Sequence, residues 1–147
     1  MEQPIQTYTR LEFAERQLDR AIELFLQGDH VSALTLAGAA EDIFGGTLRL
    51  QGKTPIYDQH FSVYREIHTL IWHTLYENKD YNRERNGARN AAKHIDGAHD
   101  ATYTCDLEKE AVDMIVRASA NRDYLDLPRT DAIYQFNNWF WEHWVGI

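Results

Sequence analysis

The chain has 147 residues, of which 44% are hydrophobic and 26% are charged. This length and composition predict one folded domain over residues 1–147 and exclude an intrinsically disordered chain. The formal net charge of −8 argues against a general DNA or RNA coat and against binding to an anionic membrane surface, because both need a broad basic face.

The first predicted element is an amphipathic helix. Apolar residues recur at helical spacing from Leu11 to Phe25, with charged residues between them. Gly28 is a stop signal for this helix, and Asp29 is a suitable N-cap for the next one. Because the link is short, the two helices are expected to form an antiparallel hairpin.

The second predicted helix, residues 30–50, carries apolar residues on two sides, so it is expected to lie centrally between neighbours. Glu41 interrupts one of these apolar stripes. A carboxylate there is expected to be partly buried and therefore to need a cation or hydrogen-bond donors. Arg89 and His94 are the partners of interest, although another arginine would serve.

A turn at residues 52–55 precedes a third predicted helix, with an apolar face from Phe61 to Leu75. The polar stretch 77–82 is expected to contain a connection. The basic segment that follows is predicted to be helical to about Asp96, before the stop signal Gly97. Whether residues 81–96 form one helix or two stays open, because Asn86-Gly87 could start a fresh helix.

A loop is expected from Gly97 to Thr104, then a helix capped by Asp106 and a last helix opened by Pro128. The fold expected is therefore an all-α, up-and-down bundle of four main helices plus one or two short ones. Six aromatic residues crowd the last helix and cannot share one face, so they are expected to complete the core and a self-association surface. They are Tyr134, Phe136, Trp139, Phe140, Trp141 and Trp144.

One short segment concentrates positive charge despite the acidic total. Five cations fall within fifteen residues, namely Lys79, Arg83, Arg85, Arg89 and Lys93. Within this segment the pattern Arg89-Asn90-x3-His94 resembles the signature of the HEPN superfamily (higher eukaryotes and prokaryotes nucleotide-binding domains). Gly28-Asp29-His30, followed by spaced alanines and Glu41, is similar to the second-helix pattern of that family.

The resemblance implies a small helical homodimer that acts as a metal-independent RNA endonuclease of a toxin or phage-defence system. It implies an RNA or nucleotide ligand and an antitoxin partner protein. His94 would transfer protons, Arg89 would hold the scissile phosphate, and Asn90 would orient the ring or a phosphate oxygen. Arg85 and Lys93 would bind substrate, and Glu41 would support the site.

Two points keep an alternative open, which is a non-catalytic helical interaction or nucleotide-binding protein. On an ideal helix Arg89 and His94 point about 140° apart, so they converge only by the reach of the arginine, by a helix break or across a dimer. The superfamily also includes non-catalytic members. One form of the superfamily is paired with a minimal nucleotidyltransferase and often has a tyrosine two residues after the histidine. This chain has Asp96 at that position, which disfavours that form.

The remaining chemistry-bearing residues predict no further site. The seven histidines lack the His-x3-His or Glu-x2-His spacing that would let neighbours on a helix share a metal ion. The lone Cys105 cannot form an intramolecular disulfide. No metal and no cofactor are therefore predicted. Without an apolar run near ~18 residues or a signal-peptide pattern, a cytoplasmic protein with no membrane association is expected.

Overall fold

The structure is a computed structural model that describes residues 4–145, and this part of the chain is helical with no strand. Its six α-helices are α1 (Arg10–Leu26), α2 (His30–Leu50), α3 (Ile56–Trp72), α4 (Asn78–Ala91), α5 (Leu107–Tyr124) and α6 (Asp131–Phe140). A 3₁₀ turn, Ala98–Asp100, lies between α4 and α5, and a π-helical stretch, Trp141–Val145, continues α6. The expected all-α bundle is confirmed.

Helix α2 lies at the centre of the bundle, as its two apolar stripes predicted, and packs against both α1 and α5. The buried core comes mainly from these three helices and is closed by Ile133 and Phe136 of α6. Both predicted N-caps are confirmed. The Asp29 carboxylate accepts a hydrogen bond from the Ser32 N–H at 3.2 Å, and the Asp106 carboxylate accepts one from the Lys109 N–H at 3.1 Å.

The boundaries predicted around the basic segment are wrong at both ends. Helix α4 begins at Asn78, inside the stretch expected to be a connection, and runs unbroken through Gly87 to Ala91. No fresh helix starts at Asn86-Gly87, so a single helix covers residues 81–91 of the segment 81–96, and it ends before the expected Asp96. Its last turn tightens at Asn90, whose carbonyl accepts from the N–H groups of both Lys93 and His94. Lys93 and His94 thus lie beyond the helix.

Helix α6 also begins later than expected. Thr130, not Pro128, provides its N-cap, because the Thr130 hydroxyl accepts from the Ile133 N–H and donates to Asp19 on α1. Three of its predicted aromatic residues, Phe136, Trp139 and Phe140, belong to the core or pack against it, and three stay exposed. Along the chain that the structure describes, no helix is both long and apolar enough to cross a membrane.

Helix α3 departs most from the expected packing. Although it carries many apolar side chains, none of its residues is buried. One side contacts α4 through ring contacts to Tyr81, whose centroid lies 5.0 Å from that of Tyr57 and 5.1 Å from that of Phe61. The predicted apolar face runs past the end of the helix, and its members Trp72 and Leu75 are 67% and 60% exposed.

Candidate functional site

Glu41 is buried inside the bundle, with only 5% of its surface exposed. Its Oε1 accepts a hydrogen bond from Arg117 Nη2 at 3.2 Å, and its Oε2 accepts one from Arg89 Nη1 at 3.5 Å. The predicted burial of Glu41 and its pairing with a cation are confirmed. Arg89 was an expected partner, whereas Arg117 was not singled out.

Arg117 connects Glu41 to two further helices. Its Nη1 donates to Asn86 Oδ1 at 2.9 Å and to the Arg85 carbonyl at 3.1 Å, both on α4. Its guanidinium carbon lies 4.9 Å from the centroid of the Tyr57 ring on α3, a cation–π contact. One side chain of α5 therefore contacts α2, α3 and α4. We call Glu41, Asp42, Asn86, Arg89 and Arg117 the ion cluster.

The burial of Arg117 could have been predicted from the sequence in the same way as the burial of Glu41. Arg117 sits on α5 among the buried Met114, Ile115 and Ala118, so it also interrupts an apolar stripe. A buried charge of each sign on two packed helices is the pattern of an internal ion pair.

Arg89 belongs to the ion cluster and not to an open surface. Its side chain is 12% exposed, and its Nη1 lies 2.9 Å from Asp42 Oδ1 in addition to its contact with Glu41. Its aliphatic part lies against Gly38 of α2. The guanidinium expected to grip a phosphate is therefore directed at two carboxylates of the same chain.

The protonation of Glu41 reflects two opposing effects. Burial raises the pKa of its carboxyl, because desolvation penalises the charged form, while the Arg117 and Arg89 guanidinium groups lower it. Burial is the larger effect, and the pKa of Glu41 lies above its ordinary value.

The predicted residues Asn90, Lys93 and His94 come together in an open groove of about 870 Å³. Lys79 and Arg83, from the first half of α4, also line it, as do Asp96, Asp100 and Tyr103 from the chain after the helix. We call this concavity the histidine groove. His94 is exposed there, in the turn that follows α4.

Arg85 lies in a different cavity, of about 340 Å³, between α3, α4 and α5. Its guanidinium carbon is 5.2 Å from the centroid of the Tyr64 ring and 5.5 Å from that of Tyr81. Burial, together with the charges of Arg85 and Arg117, lowers the pKa of His60, which lines the same cavity. The five predicted basic and polar site residues of the segment 85–94 are thus divided among the ion cluster, this cavity and the histidine groove.

Cys105 and a metal site are the two other candidates for chemistry that the sequence raised. Although Cys105 is exposed overall, partial burial of its thiol raises the pKa of that group, and the nearby charge of Glu110 raises it further. A raised pKa disfavours the reactive thiolate. Within residues 4–145, no three His, Cys, Asp or Glu side chains gather closely enough to hold a metal ion.

The fold and site define an all-α bundle with a buried ion cluster beside an exposed histidine groove. Comparison with protein-family models finds no match to this chain. Comparisons with curated proteins and with solved structures likewise find none.

Gly38→Ala tests the close contact between α2 and Arg89. An added Cβ would overlap Arg89 Cδ, and this side chain cannot move freely because Glu41 and Asp42 hold its guanidinium. We expect a loss of about 1–3 kcal/mol in the free energy of unfolding, measured by urea denaturation.

Gly46→Ala is the matched control, since nothing lies within 4 Å of its added Cβ. Alanine in a helix interior should there raise stability by about 0.5–1 kcal/mol. Equal stability of Gly38→Ala and Gly46→Ala would contradict the close packing of Arg89 against Gly38.

Glu41→Gln tests the raised pKa of Glu41 through stability. Because the folded state binds this proton more readily than the unfolded chain does, the contribution of Glu41 to stability is greatest below its ordinary pKa. It is lost as pH rises through the raised folded pKa. The wild type should therefore lose stability relative to Glu41→Gln over the pH range that extends upward from the ordinary carboxyl pKa of 4.5, by at most about 1.4 kcal/mol per pH unit.

The measurement is urea denaturation of both proteins across this range, with the exposed Glu66→Gln as the control for removing one charge. If the wild type instead gained stability relative to Glu41→Gln as pH rises, the raised pKa of Glu41 would be refuted.

Proposed function

We propose that this chain is a HEPN-like helical protein that binds RNA in the histidine groove as a homodimer and cleaves it without a metal. The observation that carries the proposal is an exposed histidine in a groove that three exposed cations border. These are Lys79, Arg83 and Lys93. An imidazole both accepts and donates protons near neutral pH, and the cations supply attraction for phosphate.

The cations of the groove are available to a ligand. Lys79 pairs with Glu77 at 3.1 Å and Arg83 with Asp80 at 3.5 Å. Both are exposed pairs, which contribute little and exchange readily with other partners. Lys93 makes no ion pair with any residue that the structure describes. Because Asp96 and Asp100 also line the groove, its three cations leave it with a small local excess of positive charge on a chain of net charge −8.

The proposed reaction is transesterification within the RNA. His94 takes the proton of a 2′-hydroxyl, the 2′-oxygen attacks the adjacent phosphorus, and the bond from phosphorus to the 5′-oxygen breaks. A second imidazolium, from His94 of the partner subunit, protonates the leaving 5′-oxygen. The products are a 2′,3′-cyclic phosphate and a 5′-hydroxyl, and DNA is not a substrate because it lacks the nucleophile.

Arg89 serves as a positioning residue in this proposal. Because Glu41 and Asp42 already accept from its guanidinium, it fixes the last turn of α4 against α2. The Asn90 carbonyl in that turn accepts from the His94 N–H at 3.0 Å. Arg89 therefore supports the position of His94, while Lys93 makes the contact with phosphate.

The engagement of Arg89 also favours a second candidate, a non-catalytic dimer that binds a nucleotide or a partner protein. An arginine held by two carboxylates is not free to stabilise the developing charge of a phosphoryl transition state. A role in a toxin or phage-defence system, with an antitoxin as the partner, follows from the resemblance and belongs to both candidates.

His94→Ala tests the catalytic candidate. Incubated with total RNA in the presence of a chelator, the wild type should yield 2′,3′-cyclic phosphate ends. The variant should be roughly 10²–10⁴-fold slower, the usual contribution of a general acid or base. His73→Asn is the matched control, since His73 is exposed, lies outside the groove and has a left-handed backbone (φ 56°) that asparagine tolerates.

Lys93→Ala should weaken RNA binding and reduce its salt dependence by about one counterion. Wild type that leaves all RNA intact but still binds it in the groove would select the non-catalytic candidate. His94→Ala cutting as fast as its parent would remove the proposed mechanism.

A further inference from the structure

The cavity of about 340 Å³ between α3, α4 and α5 has aromatic walls. Three tyrosine rings, those of Tyr57, Tyr64 and Tyr81, line it together with the imidazole of His60. We call it the smaller cavity. Its volume is at the lower end of the range for ligand pockets, about 300–1,000 Å³, so it suits a compact metabolite. Among the residues that the structure describes, it shares no lining residue with the histidine groove.

Six charged side chains also line the smaller cavity, and ion pairs or water compensate four of them. Lys109 Nζ lies 2.7 Å from Asp113 Oδ2. Arg117 is paired with Glu41 of the ion cluster at 3.2 Å. Glu84 is exposed, so water solvates its carboxylate. One cation and one carboxylate remain.

The remaining cation is Arg85 on α4. It is half-buried, and no ion pair among residues 4–145 includes it. Its Nε is buried and has no hydrogen-bond partner among the described residues. The Tyr64 and Tyr81 rings attract its guanidinium, but a ring face does not replace an acceptor in the plane of the guanidinium. Arg85 is therefore a donor for an anionic group of a ligand, and its forked N–H groups match a carboxylate.

The remaining carboxylate is Glu110 on α5. It is half-buried and likewise takes part in no ion pair within the described part of the chain. Burial raises the pKa of its carboxyl, and the opposing charges of Lys109 and Arg85 offset this only in part. Arg85 and Glu110 thus line one cavity without pairing with each other. An ammonium group in the cavity would compensate Glu110.

One unpaired charge of each sign selects a zwitterionic ligand. A carboxylate without an amine would be attracted by Arg85 and repelled by Glu110, and an amine without a carboxylate would experience the reverse. A nucleotide would bring several negative charges toward Glu110, Glu84 and Asp113. An α-amino acid carries both charges on one carbon atom, and an aromatic side chain packs well against tyrosine rings.

We propose that the smaller cavity binds a free aromatic α-amino acid. Its carboxylate contacts Arg85, its ammonium group contacts Glu110, and its ring packs among the tyrosine rings. The site is separate from the histidine groove, so the inference goes beyond the proposed RNA cleavage and does not depend on it.

Calorimetric titration of the wild type with L-phenylalanine and two analogues tests the need for both charges. L-phenylalanine is the smallest aromatic amino acid, and its Kd should be about 1 mM or lower. Hydrocinnamate lacks the amine and phenethylamine lacks the carboxylate, so each should bind at least ~10-fold more weakly. Adenosine monophosphate is the nucleotide probe, and it should not compete with phenylalanine.

Arg85→Gln and Glu110→Gln test the two residues that hold the ligand. Each should weaken phenylalanine binding at least ~10-fold, because each removes one ion pair with the ligand. Arg65→Gln and Glu108→Gln are the matched controls, since both positions are exposed and lie outside the cavity. The controls should bind phenylalanine as the wild type does, and circular dichroism checks that all four variants are folded.

Nuclear magnetic resonance of the wild type locates the ligand without any variant. Titration with phenylalanine should shift the amide signals of Tyr81 and Val116, which line the smaller cavity. The signals of Lys93 and His94, which line the histidine groove, should stay unchanged.

Four results would overturn the proposal. The first is no phenylalanine binding at ~10 mM, ten times the expected upper limit of Kd. The others are hydrocinnamate or phenethylamine binding as tightly as phenylalanine, unchanged affinity in either cavity variant, and shifts centred on the histidine groove. RNA cleavage is assayed separately, so loss of the nuclease leaves this site standing.

Discussion

A carboxylate inside a helical bundle must be paired, and Glu41 is paired with the guanidinium groups of Arg89 and Arg117 on two other helices. Removal of Glu41 would leave the buried Arg117 guanidinium without its carboxylate, and a buried charge without compensation typically costs about 3–5 kcal/mol. The central helix therefore dictates where α4 and α5 lie. Because Arg117 also contacts Asn86 and the Tyr57 ring, the same pairing orients the side of the molecule that carries α3.

This constraint separates residues that are neighbours in sequence. Arg89 points into the ion cluster, Arg85 lies between the tyrosine rings of the smaller cavity, and His94 follows the end of α4 into the histidine groove. The residues of one sequence motif therefore lie in two different places in the structure. Arg89 positions α4, and the exposed Lys93 and His94 line the histidine groove.

The sequence predicted those features that depend on periodicity within one helix. The central place of α2, the caps at Asp29 and Asp106 and the burial of Glu41 all follow from local pattern. The end of α4 was missed because no glycine or proline follows Ala91 until Gly97, so the sequence carries no stop signal where the helix ends. The exposure of α3 was missed because an apolar stripe shows that a face needs covering, not whether the core or a second chain covers it.

A double-mutant cycle between Glu41 and Arg117 tests the central claim most directly. The free energies of unfolding of wild type, Glu41→Ala, Arg117→Ala and the double variant are measured by urea denaturation. If the ion cluster holds α2 against α5, the two substitutions should be coupled by about 1.5–3 kcal/mol, with the double variant far less destabilised than the sum of the single ones. Additivity within about 0.5 kcal/mol would contradict the account.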